Sequence, residues 1–192
     1  INLREPIWAD YIQFLIGFRW LQWNETLRLQ DSFSSPPAAA PVTLTGNDYF
    51  QTECFNNLYG GQIGLDGILY QAISGLLIDG LVKAGAFYND AFQRSAYSQV
   101  ANNTVLFSSQ NRSESPDGAA FVGEVGLTAI IPIHRNLDFR LGYFGLWIES
   151  LAQPSNQLGS QSISPTAQPA SALDLTGGVV IQGVNLGLEG RW

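Results

Sequence analysis

The chain has 192 residues, 45% hydrophobic, 12% aromatic and only 13% charged, with 20 glycines and 9 prolines. That length holds one domain, the apolar content excludes disorder, and a formal charge of −7 excludes a nucleic-acid partner, whose phosphates need more than the 9 Lys and Arg present. The low charge is also unlike a soluble globule, where about a quarter of residues are charged.

The best apolar stretch, 11–23, is broken by Gln13, Arg19 and Gln22, so no helix of the ~18 apolar residues that cross a bilayer is predicted. The hydrophobicity repeats every second residue instead, the period of a strand whose side chains point alternately to two faces. In the first predicted strand, 11–21, Ile12, Phe14, Ile16, Phe18 and Trp20 oppose Gln13, Gly17 and Arg19; beyond Trp20 the phase flips to Leu21, Trp23, Leu27 and Leu29, as a bulge near Trp20 would produce. A Ser/Pro/Ala-rich loop is predicted over 31–47. The second strand, 58–69, sets Tyr59, Ile63, Leu65 and Leu69 against Gly60, Gln62, Gly64 and Asp66, and a short turn follows at 70–74. In 76–88, Ile78, Val82, Ala84 and Tyr88 oppose Asp79, Lys83 and Gly85. Asp79 and Lys83 also have helical spacing, but Gly75, Gly80 and Gly85 favour a strand.

A long polar loop is expected over 89–117. Then 120–131 sets Phe121, Val125, Leu127 and Ile131 against Glu124, Gly126 and Thr128, and 132–135 is a short turn. In 136–148, Leu137, Phe139, Leu141, Tyr143 and Trp147 face away from Asp138, Arg140 and Gly142. A Gln/Ser/Pro-rich loop is expected over 151–173. The last strand, 182–192, alternates Val184, Leu186, Leu188 and Trp192 with Gly183, Asn185, Gly187, Glu189 and Arg191. The connections thus run long, short, long, short, long, the end-sorted pattern of a transmembrane barrel, with short turns on one side and long loops on the other.

The same alternation fits a soluble barrel with its apolar face inward, which would bind an apolar ligand. Three features favour the inverted arrangement, apolar side to lipid and polar side to a lumen. The polar face carries much glycine and little Lys or Glu. Trp20, Trp23, Tyr59, Tyr143, Trp147 and Trp192 sit near strand ends, as aromatic girdles do. The chain closes on an aromatic at the last apolar position of its strand. The predicted fold is therefore an all-β, antiparallel, up-and-down transmembrane β-barrel of one domain over 1–192. Six strands are recognisable, part of a barrel of about eight to twelve. The lumen-facing charged set is Arg19, Asp66, Asp79, Lys83, Glu124, Asp138, Arg140, Glu189 and Arg191. The lipid-facing or girdle set is Phe14, Phe18, Trp20, Tyr59, Phe139, Tyr143, Trp147, Leu186, Leu188 and Trp192. No methionine is present, so a processed or excised product is expected, with any signal peptide removed; six strands leave an even number to be supplied, by residues 1–10 and part of 89–117, by a neighbouring chain or, the favoured source, by strands lying upstream.

The segment Gly17-Phe18-Arg19-Trp20-Leu21-Gln22-Trp23-Asn24-Glu25 resembles the "GFRYLxLxE" strand of a bacterial outer-membrane beta-barrel porin family. Leu58-Tyr59-Gly60-Gly61-Gln62-Ile63-Gly64-Leu65 resembles that family's "FYGxQLGL" strand, and 184–192 resembles its closing strand. The similarity touches most of 11–192. It implies a location in the bacterial outer membrane, contact with outer-membrane lipid, and recognition by the barrel-assembly machinery of the last strand through Leu186, Leu188 and Trp192.

The inventory speaks against an enzyme. The lone histidine, His134, falls in a short turn beside Pro132 and Arg135, where a solvated side chain is the simplest reading. Cys54 has no Cys or His neighbour for a disulfide or a zinc site and reads as a small buried hydrophobe. No metal and no cofactor are expected. The glycine-rich 60–67 lacks the order and the ending of a nucleotide loop. The sequons at Asn24, Asn102 and Asn111 are chance patterns in an Asn/Ser-rich chain. Two functions follow from the polar face: a porin-like channel passing small solutes by diffusion, its charges setting ion selectivity, or a barrel closed by ion pairs that acts through its long outer loops.

Overall fold

The computed structural model describes residues 2–8, 11–35, 44–114, 118–158 and 173–190. Among these, the elements run β1 (Asn2–Trp8), β2 (Ile12–Ser35), β3 (Leu44–Gln71), β4 (Leu77–Ala101), β5 (Thr104–Glu114), β6 (Gly118–His134), β7 (Leu137–Leu151), α1 (Pro154–Gln157) and β8 (Gly177–Gly190). They form one antiparallel eight-stranded sheet in the order β1-β2-β3-β4-β6-β7-β8, with β5 also on β4. β4 is long enough to pair with β6 over 77–89 and with β5 over 92–101. No pairing joins β8 to β1 among the described residues, so the sheet is open. No helix among them is long and apolar enough to cross a membrane.

Two of the predicted loops are largely strand. The segments expected as loops over 31–47 and 89–117 are the upper ends of hairpins: β2 runs to Ser35, β3 begins at Leu44, β4 runs to Ala101 and β5 returns at Thr104. The latter pair turns on Asn102 and Asn103, both at positive φ (48° and 62°), the backbone that a two-residue hairpin connection requires and Asn tolerates. These stretches hid from the sequence pattern because their side chains are polar on both faces, while cross-strand hydrogen bonds keep the ladder going. Residues 36–43 and 159–172 lie outside the described part of the chain, as do Arg191 and Trp192.

The bulge expected near Trp20 is absent. β2 and β3 stay in continuous register from Ile12↔Gly67 to Ser35↔Leu44. Ile16, Phe18, Trp20, Gln22, Asn24, Thr26 and Arg28 therefore share one face, and Leu15, Gly17, Arg19, Leu21, Trp23, Glu25 and Leu27 the other. What flips at Trp20 is chemistry: the outward face turns from apolar to polar and the inward face from ionic to apolar.

The core sits on that inward face. Leu58, Phe87, Ala120, Val122, Ile148 and Leu151 are buried together, with Leu21, Trp23, Leu146 and Val179 packed against them. Higher up, Cys54, Ala91, Ala152 and Leu173 form a second cluster. The sheet curls toward this face. β3 and β7 are separated by two strands, about 14 Å in a flat sheet, yet the Ala152 amide, one residue past β7, donates to Asn56 Oδ1 on β3 at 2.7 Å, and α1 lies against β2 and β3.

Phe87, 3% exposed, is the largest side chain of the first cluster. Phe87→Ala is expected to cost about 3–5 kcal/mol, the range for truncating a packed phenylalanine, read as a fall in the urea midpoint of tryptophan fluorescence. A loss below about 1 kcal/mol would show that the inner layer is not packed.

Candidate functional site

Register fixes what each face carries. Cross-strand partners share a face, so the row Trp20↔Tyr59↔Tyr88 points outward, and the rows holding Arg19, Lys83 and Glu124 point inward. The outward side chains include Phe18 (58% exposed), Ile63, Val184, Leu186 (69%) and Leu188 (68%). On β2, β3, β4, β6, β7 and β8 the apolar outward run spans nine to eleven residues, for example 12–20, 121–131, 139–147 and 180–188. A tilted strand needs about 9–11 residues to cross a bilayer.

The residues expected at the lipid side lie on this outward face: Phe14, Phe18 and Trp20 on β2, Tyr59 on β3, Phe139, Tyr143 and Trp147 on β7, Leu186 and Leu188 on β8. The Trp20 and Tyr59 rings stack at 6.5 Å. Trp147 lies across Gly123, and a Cβ there would collide with the indole. Phe139, Leu141, Leu186 and Leu188 do not gather into a compact centre; all four point outward.

The inward face below the apolar core carries the charges. Glu124 on β6 accepts from Arg19 Nη1 on β2 at 2.6 Å and from Lys83 Nζ on β4 at 3.0 Å. All three side chains are only 16–26% exposed. Arg4 Nη1 lies 3.2 Å from Asp66, and Arg140 Nε 2.6 Å from Glu189. Asp79 and Asp138 share this face. Glycine across the ladder makes room for the long side chains: Gly60 is paired with Arg19, Gly64 with Lys83 and Gly187 with Arg140. A Cβ on Gly64 would meet Lys83 Cγ at 2.8 Å. The charges thus fall into small networks and not into one site: Arg19, Lys83 and Glu124 come together, while Arg140 pairs with Glu189 and Asp66 pairs with Arg4.

Sequence reasoning missed three parts of this face. Arg4 was passed over because β1 has only seven residues and begins the chain. A polar ladder continues above the core: Gln93 Nε2 donates to Thr52 and to Ser95, both at 2.8 Å, and Asp48 accepts from the Tyr97 hydroxyl and from Gln99, both at 3.0 Å. Burial, and then Asp48 beside it, pushes the Tyr97 hydroxyl pKa up. The third is a strap made by the connection from β7 to β8. At Ser150 (φ 64°) β7 bulges, which shifts the phase by one residue and turns Leu151 inward. Asn89 Nδ2 donates to the Ser150 carbonyl (3.0 Å) and to Asn56 Oδ1 (3.0 Å), and Asn56 Nδ2 donates to the Ala152 carbonyl (3.0 Å). Farther along, Gln157 and the backbone of Asp174 exchange two hydrogen bonds. The strap thereby covers the inner face of the upper sheet. The signal for it in the sequence was Asn56 and Asn89, polar residues continuing the inward register above Leu58 and Phe87.

Nothing in this arrangement assembles a nucleophile with a base. His134 ends β6, exposed beside the 135–136 turn. Cys54 is fully buried; burial, and then the Glu25 carboxylate, push its thiol up to about 12. Among the described residues no cluster of His, Cys, Asp and Glu suits a metal ion.

An apolar face of membrane-crossing length opposite an ionic one is what the wall of a transmembrane barrel requires, and comparison with known proteins points the same way. A family model described as "Putative beta barrel porin-7" matches residues 7–192. The chain belongs to this family. Neither the curated proteins nor the solved structures contain a match to it. The family is a porin family and not an enzyme family.

Two outcomes test the site. Glu124→Ala leaves Arg19 and Lys83 facing each other without their carboxylate; we expect a loss of about 2–3 kcal/mol, less than the ~3–5 for a fully buried pair because all three groups keep some solvent. Adding Lys83→Met should return part of it, whereas a neutral Glu124→Ala would mean that the cations are solvated. A thiol with a pKa near 12 is about one part in ten thousand thiolate at pH 8, so Cys54 should ignore maleimide in the folded protein and react in urea. Labelling of the folded protein at the unfolded rate would contradict its burial.

Proposed function

We propose that the chain forms the wall of an outer-membrane β-barrel through which small polar solutes diffuse. The observation that carries this reading is the two-faced sheet. Nine- to eleven-residue apolar runs face outward on β2, β3, β4, β6, β7 and β8, and glycines and ion pairs face inward. In water such an outward face would be an exposed apolar patch far beyond what soluble monomers carry. In a bilayer it is the lipid-facing band, and the inward face becomes the lining of a lumen. Arg19, Lys83, Glu124, Arg140, Glu189, Asp66, Asp79 and Asp138 would then set the field that a passing ion meets. The last strand, through Leu186, Leu188 and Trp192, would be the segment offered to the barrel-assembly machinery.

A second reading has its own support. The layer of Leu58, Phe87 and Leu151, closed over by the strap, is apolar and buried, so the barrel would be sealed at that level and would act through the tall β2–β5 hairpins. Current separates the two. Reconstituted into planar bilayers, the folded protein should conduct in discrete steps, and Glu124→Gln should shift its selectivity toward anions. Silent bilayers containing protein that is heat-modifiable on SDS gels would reject the channel and favour the sealed barrel. Under either reading Leu186→Arg, near the middle of the β8 apolar run, is expected to cost about 2–4 kcal/mol in lipid-refolding titrations.

A further inference from the structure

The tall hairpins carry a hollow on their outward face that neither the ionic lining nor the apolar band explains. Two adjacent rows of four cross β2, β3, β4 and β5 in register: Arg28↔Gln51↔Ala96↔Gln110 and Gln30↔Tyr49↔Ser98↔Ser108. Size alternates across them. Ala96, Ser98 and Ser108 are small and make a floor. The long side chains of Arg28, Gln30, Tyr49 and Gln51 rise on one side and Gln110 on the other, around a hollow of about 520 Å³. That volume lies within the range of small-molecule sites, about 300–1,000 Å³.

We propose that this hollow binds a saccharide, neutral or acidic. The lining offers amides and hydroxyls, each able to donate and accept, together with one guanidinium and a phenol ring that is 41% exposed. Ligands rich in hydroxyls match amides and hydroxyls, and the amphipathic ring supplies a flat surface with a polar tip. An apolar ligand would strand these polar groups. An extended peptide that adds a strand would pair along the outer edges of β2 and β5, whereas the hollow lies on the face between them, where side chains and not backbone groups are presented. Glu53, the carboxylate one row nearer the apolar band, stands cross-strand from the Arg94 cation, which offsets its charge toward an acidic sugar.

Position adds to the chemistry. Arg28 lies eight residues beyond Trp20 on the same outward face, about 26 Å along the strand past the aromatic row that ends the apolar band. In the membrane orientation proposed above, that is where the sugar chain of an outer-leaflet glycolipid would stand, and a soluble saccharide would reach the same surface. The binding test does not depend on conduction, so a silent channel leaves it intact.

Calorimetry on the full-length protein in detergent decides, with smooth lipopolysaccharide and the lipid-free polysaccharide released from it by mild acid as probes. Both should bind if the sugar is what is recognised. Arg28→Ala and Tyr49→Ala, at exposed positions that leave the fold unchanged, should each weaken binding at least tenfold. Ser98→Trp, which fills the floor, should abolish it, and Gln22→Ala, on the same face nearer the band, should leave it unchanged. Binding of the intact glycolipid alone, unaltered by these variants, would assign the contact to acyl chains on the apolar band and overturn the proposal. So would the failure of both probes to bind.

Discussion

A strand that keeps register must show the same face to the same side along its whole length, so a reversal of polarity within it records a change of surroundings. β2 is such a strand. Its 24 residues stay paired with β3 without a slip, yet its outward face passes from Phe14, Phe18 and Trp20 to Gln22, Asn24, Thr26 and Arg28. β3 and β4 change in the same rows, from Leu65 and Val82 through Tyr59 and Tyr88 to Asn57 and Asp90. In the membrane orientation proposed above, three neighbouring strands would thus leave one medium and enter another at the level of an aromatic row. The inward face inverts the opposite way, from ionic to apolar; with the outside solvated above that row, the inside would be the only place for a core.

The two halves of the inward face are stabilised differently. Below, charges satisfy one another across curled strands, and glycine opposite Arg19, Lys83 and Arg140 lets long side chains lie across the sheet. Above, apolar packing needs a second layer, and a single curled sheet has none of its own. The strap from β7 to β8 supplies it. Asn56 and Asn89 are the fixing points: Asn56 gives the passing backbone both a donor and an acceptor and Asn89 gives it a donor, and both are almost fully buried. The positive φ of Ser150 costs about 1–2 kcal/mol; its return is the one-residue phase shift that brings Leu151 into the core.

The apolar band was legible in the sequence because there the two faces differ most. Alternation of Leu, Phe and Trp with Gly, Arg and Asp located β2, β3, β4, β6, β7 and β8 and separated their faces. The hairpin tops were not legible because Thr52, Gln93 and Ser95 inside face the same way in composition as Gln51, Arg94 and Ser98 outside. Polarity carries no period when both sides are polar; only pairing keeps such a strand together, and pairing is not local. The phase flip at Trp20 was read as a bulge for a related reason, that a pattern of residues cannot tell a twist of the chain from a change of medium. The strap depends on contacts such as Asn56 to Ala152, 96 positions apart, which no window along the chain contains.

The same bookkeeping of direction constrains how the sheet closes. Among the described residues every adjacent pair is antiparallel, and seven strands, with β5 above them, cross the level of the apolar band in the order β1-β2-β3-β4-β6-β7-β8. With an odd number of alternating strands the first and last run the same way, so β1 and β8 both descend toward the short-turn end. Joining them directly would make a parallel pair in an otherwise antiparallel wall. A second copy standing the same way up would present the same mismatch. Lipid tolerates no unpaired strand edge, so a barrel built on this sheet closes through an odd number of further strands, ascending next to β8 and next to β1, with apolar residues outward at the height of Phe18, Leu127 and Leu186.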